Sequence, residues 1–86
     1  MIKPTIGRVV LVHRGNSPQP EPALICYVHS DTMINVGGFD KNGKPFEACS
    51  IQLYQGDNDV VENVNFYAEW MPYQKKQAES NKLTNE

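Results

Sequence analysis

Ile6-Gly7-Arg8-Val9-Val10-Leu11-Val12-His13-Arg14 is the stretch whose reading decides the fold. It is the densest β-branched run in the chain. Val9 to Val12 is too short and too β-branched for a helix. It is apolar at successive positions, so both faces of a strand built from it are apolar. That pattern fits a central strand that bends through a small barrel or is covered on both sides. Gly7, near its start, marks a bulge or a close backbone approach. The same stretch carries Arg8, His13 and Arg14, a large share of the basic groups.

Outward from this strand the chain alternates between apolar runs and turn signals. Residues 15–22 hold Pro18, Pro20 and Pro22 at alternate positions, which removes backbone donors and stiffens a projecting connector. Residues 23–29 (Ala-Leu-Ile-Cys-Tyr-Val-His) form a second strand, and Ser30-Asp31-Thr32 turns the chain. A third strand starts at Met33 and bends at Gly37-Gly38 before Phe39. Asn42-Gly43 is the strongest hairpin signal present. The fourth strand runs from about Pro45 to Tyr54. Strict alternation in it puts Cys49, Ile51 and Leu53 on one face, and Phe46, Ala48, Ser50 and Gln52 on the other. From Val64, alternation places Val64, Phe66, Ala68 and Trp70 on one side of a fifth strand that Pro72 stops.

Five short strands without an intervening helix predict an all-β fold: a five-stranded antiparallel barrel, SH3-like rather than OB-like. The expected organisation is one barrel domain over residues 1–73 and a polar tail over 74–86, starting as a short helix around Gln74 to Ala78. In a chain of 86 residues, so small a core supplies only about 3–5 kcal/mol, and such domains often oligomerise.

The net charge of −2 argues against a duplex nucleic-acid binder, which carries a basic stripe. No signal-peptide, lipidation or long apolar pattern is present, so a cytoplasmic location away from membranes is expected. Cys26 and Cys49 match no zinc spacing and read as buried free thiols. His13 and His29 fall at strand ends and make no convincing catalytic or metal set. The residues 56–59 lack the ligand spacing of a calcium loop and read as a solvated turn. No cofactor, no metal and no enzymatic activity are expected.

Lys3-Pro4-Thr5-Ile6-Gly7-Arg8, followed by strand, loop and strand, resembles the opening of a group of small tailed-bacteriophage proteins. The likeness extends over residues 3–72 through Ala23, Asn35, and Trp70 with Pro72. Relatives often end in a Trp-X-Trp-Pro cluster, where this chain has Tyr67-Ala68-Glu69-Trp70-Met71-Pro72. The resemblance implies a phage origin, a barrel, and a place in the cytoplasm of an infected bacterial host.

The candidate ligand-binding residues are Arg8, His13, Arg14, Tyr27, His29, Tyr67 and Trp70: arginine to grip an anion, aromatics to stack a ring. The competing reading has Trp70 closing the barrel end and Arg8 paired with Glu69 or Glu47. Two-faced apolarity in the first two strands predicts homo-oligomerisation. The function expected is a non-enzymatic binding protein acting on a host component as a homo-oligomer, with sequestration of a nucleotide-type defence signal as one version. The alternatives are a protein–protein adaptor and a single-stranded nucleic-acid binder.

Overall fold

The computed structural model describes residues 1–15, 17–56 and 59–75. Five strands close into a barrel in the order β1-β2-β3-β4-β5: β1 Val9–Arg14, β2 Glu21–Ser30, β3 Met33–Phe39, β4 Pro45–Tyr54 and β5 Phe66–Trp70. The all-β, five-stranded small barrel is as expected, and an SH3-like description is consistent with it. Ile6 and Gly7 lie outside β1. Gly7 has φ +94° and turns the lead-in so that its N–H donates to Ile25 O at 2.8 Å.

The expected antiparallel arrangement holds for four of the five pairings, and β4 runs parallel to β5. A closed ring of five strands cannot alternate in direction all the way round, so at least one pair must be parallel. It falls at β4–β5 because the link over residues 55–65 is long enough to carry the chain back along the barrel. The Gln52 side chain pins that link: Nε2 donates to Val60 O at 2.7 Å, and Oε1 accepts from Glu62 N at 2.9 Å. The β4–β5 seam itself holds only Leu53↔Ala68 and Tyr54↔Glu69.

Every strand feeds one core: Val10 and Val12, Ala23 and Ile25, Ile34 and Val36, Ala48, Ile51 and Leu53, Ala68 and Trp70. Each fully buried aliphatic side chain stabilises by about 1.5–3 kcal/mol relative to exposure. Strict alternation in β4 would put Ala48 and Ile51 on opposite faces, yet both are buried. The register slips between Ala48 and Ile51, where Cys49 and Ser50 oppose Asn35, and Ser50 takes φ +53°. A second slip lies at Cys26 in β2. The two cysteines at these slips, expected as buried thiols, are exposed and free: the bulge turns Cys49 off the face of Ile51 and Leu53, and alternation from Ala23 and Ile25 sends Cys26 outward. In β5 only Ala68 and Trp70 enter the core; Val64 and Phe66 are exposed at the barrel's rim.

The β3–β4 hairpin turns at Gly43, φ +80°, with Asp40 Oδ1 accepting from Asn42 N and Lys44 N at 2.8 and 2.9 Å. After β5, residues 72–75 form one helical turn in which Gln74 Oε1 accepts from Met71 N at 2.9 Å. The expected tail helix toward Ala78, and Asp57 and Asn58 of the 56–59 turn, lie outside the described residues.

Candidate functional site

The seven residues singled out from the sequence fall into four separate places. Trp70 lies inside the barrel, 1% exposed, and closes one end. Arg8 lies over it, its guanidinium carbon 5.7 Å from the ring centroid, a cation–π arrangement. Trp70 therefore serves as a plug rather than as an exposed platform. Its Nε1 donates to Gln55 Oε1 at 3.0 Å.

His13 and Tyr67 meet on the outer surface of the β1–β5 pair, as their register requires. Their rings stack with centroids 4.4 Å apart and planes 12° from parallel. His13 Nε2 lies 2.6 Å from Glu69 Oε2, and Lys75 Nζ lies 3.6 Å from Glu69 Oε1. Glu69 thus pairs with His13 and Lys75 rather than with Arg8. Burial, and then the neighbouring Glu69 carboxylate, push the Tyr67 phenol above its ordinary value.

Arg14 sits at the opposite end of the barrel from Trp70. Its Nε and Nη2 donate to the two carboxylate oxygens of Glu21, at 2.6 and 3.1 Å. Its guanidinium carbon lies 4.1 Å from the centroid of Phe46, whose ring packs on the core and closes this end. Glu21 is 4% exposed, the one buried charged side chain among the described residues. The pair raises the Arg14 pKa above its ordinary value, chiefly through the Glu21 hydrogen bond.

Tyr27 and His29 form the fourth place, on β2 beside β3. Tyr27 is 54% exposed and meets His29 edge-on, centroids 4.9 Å apart. His29 Nε2 lies 2.9 Å from Asn35 Oδ1, which also accepts from Ser50 N at 2.7 Å. Among the described residues no group of three or more His, Cys, Asp or Glu could hold a metal ion.

The outward apolarity read from the sequence in the first two strands extends onto β3, giving one apolar outer face of β1–β3. Val9 pairs with Leu24, and Leu24 with Gly37; Leu11 pairs with Pro22, and Phe39 with Pro45. The alternation of β1 sends Val10 and Val12 inward and Val9 and Leu11 outward. Leu24 is 48% and Phe39 53% exposed. A shallow, almost wholly apolar depression of about 90 Å³ lies among Val9, Pro22, Leu24, Gly37 and Phe39, floored by the glycines. The signal for it was the outward set of β1 read together with Leu24. What the sequence does not show is the pairing that brings Phe39 and the side-chain-less Gly37 alongside.

No protein-family model matches the chain, and no curated protein or solved structure matches it significantly.

Proposed function

We propose that this chain is a non-enzymatic binding barrel of phage origin that self-associates through the outer face of β1–β3 and acts on a host component as an oligomer. The observation that carries the reading is that apolar face: Val9, Pro22, Leu24 and Phe39 around the Gly37 depression. A contiguous exposed apolar surface marks an interaction site. Projecting side chains and a hollow occupy the same patch, so two copies related by a two-fold axis can each insert a side chain into the other's hollow, as an isologous interface requires. Covering the half-exposed Leu24 and Phe39 contributes on the order of 1 kcal/mol each.

Sedimentation velocity across the micromolar range tests the reading. The expected result is a dimer or larger symmetric species for the natural chain, and monomers for Leu24→Asp and Phe39→Lys with unchanged circular dichroism. A natural chain that sediments as a monomer overturns it.

For what the oligomer binds, the geometry favours the protein–protein adaptor. The anion-gripping and stacking residues do not converge in one copy: Trp70 is inside, Arg8 lies on it, and Arg14 is bound to Glu21 apart from both. The nucleotide-sequestering version is supported only by the exposed Tyr27 beside His29, a platform on which a ring could stack. Calorimetric titration with cyclic and linear nucleotides separates the two. Heat that is lost in Tyr27→Ala supports sequestration; silence across the panel leaves the adaptor.

A further inference from the structure

We infer that the cleft between residues 17–22 and the 40–44 hairpin binds a small carboxylate, taken by the outer edge of the Arg14 guanidinium with Lys41 at the rim. This does not depend on the self-association face. The cleft holds about 350 Å³ and is lined by Arg14, Ser17, Glu21, Asp40, Lys41 and Asn42.

A guanidinium has five N–H donors in a rigid fork. Arg14 gives one from Nε and one from Nη2 to Glu21. The Nη1–Nη2 edge keeps the rest, and among the described residues no side-chain or backbone acceptor takes them. The Arg14 side chain is 37% exposed and lines the cleft. Meanwhile the group is fixed in place, by Glu21 along one edge and by Phe46 against one face. Much of the cost of ordering a long side chain around a ligand is therefore met before the ligand arrives.

Glu21 points the same way. Burying a carboxylate is expensive, and a buried ion pair returns little net stability against an apolar pair. What it does supply is orientation: it aims the second fork of Arg14 outward.

The ligand class follows from shape and charge. The open edge offers two parallel N–H groups, which match two coplanar oxygens. The cleft wall carries Arg14 and Lys41 and also Glu21 and Asp40. Repulsion from the two carboxylates is greater for a doubly charged phosphate monoester than for a singly charged carboxylate, which the guanidinium edge holds by two paired hydrogen bonds. Asp40 Oδ1 is held by the amides of Asn42 and Lys44.

The test is a nuclear magnetic resonance titration with sodium acetate, with sodium chloride at matched ionic strength and inorganic phosphate as parallel arms. The expected result is a saturable shift of the Gly15, Ser17 and Lys41 amide signals with acetate alone. Arg14→Lys, which loses the fork, weakens acetate binding about tenfold or more. Lys41→Ala, on the exposed hairpin, weakens it about threefold and carries the test should Arg14→Lys fail to fold. Shifts reproduced by chloride, tighter binding of phosphate than of acetate, or acetate binding unchanged in Lys41→Ala would each overturn the proposal.

Discussion

The indole Nε1 of Trp70 donates its hydrogen bond to the side-chain oxygen of Gln55, at 3.0 Å. That oxygen also accepts from Ile2 N, while Gln55 Nε2 donates to Ile2 O and Asp31 O at 2.9 and 2.8 Å. One amide thus uses both donors and both lone pairs. It joins the amino-terminal lead, the β2–β3 turn and the barrel's aromatic plug.

Gln55→Leu is expected to cost about 2–3 kcal/mol, because it strands a buried indole N–H. In a Trp70→Phe background, where that donor is gone, the same change costs less. Urea unfolding of the four chains measures the coupling. Strictly additive costs would show that the Gln55–Trp70 bond carries none of the effect.

Gly38 and Gly37 are adjacent and answer differently to a methyl group. A Cβ on Gly38 would lie 2.3 Å from Pro22 O, 2.8 Å from Ala23 Cβ and 2.9 Å from Phe46 Cε1. Backbone cannot yield there, so Gly38→Ala destabilises by about 3 kcal/mol or more, or prevents folding. A Cβ on Gly37 meets Cys26 Sγ at an ordinary 3.6 Å. Gly37→Ala changes stability by less than about 0.5 kcal/mol, and by partly filling the depression it weakens self-association. Thermal melts with sedimentation decide both; equal tolerance at the two positions would contradict the packing.

Asp40 predicts an acid response. Hydrogen bonds from the Lys44 amide, first, hold its carboxyl below the ordinary value of 3.8. A depressed carboxyl contributes stability that is complete above its unfolded value and lost as pH falls through the folded one. Stability therefore declines as the medium is acidified below about pH 4, and Asp40→Asn removes part of that decline. Urea midpoints for both chains on either side of this window are the measurement. Parallel declines would exclude Asp40 as a source.

His29 has its tautomer chosen by a neighbour. Asn35 Oδ1 accepts from Ser50 N, which orients the amide and leaves an oxygen facing His29 Nε2 at 2.9 Å. Neutral His29 is therefore protonated on Nε2, with the Nδ1 lone pair open. Long-range proton–nitrogen correlation spectra should show that tautomer dominant; a dominant Nδ1–H form would mean the Asn35 oxygen is not its partner.

How much of this was legible beforehand differs from element to element. β3 and β4 lie where turn residues and apolar runs placed them, because Gly43 and the flanking polar turns act on the chain locally. The interior of β4 was misread, because Ser50 leaves the extended region only where Asn35, far away in sequence, accepts its N–H. Arg14 and His13 were recognisable as basic side chains at the end of the first strand. Their partners Glu21 and Glu69 were not, since pairing depends on which strands become neighbours and in what register.

The opening strand shows where the division falls. Composition and β-branching alone determined that Val9 to Val12 would be extended and apolar on both faces, because those are properties of adjacent residues. Only closure of the barrel decided which face became core, Val10 and Val12, and which lies outside beside Leu24 and Gly37. Closure also decided that β4 and β5 run parallel and that Trp70 is a plug. These depend on strand number, direction and register together, and contacts between distant residues settle them.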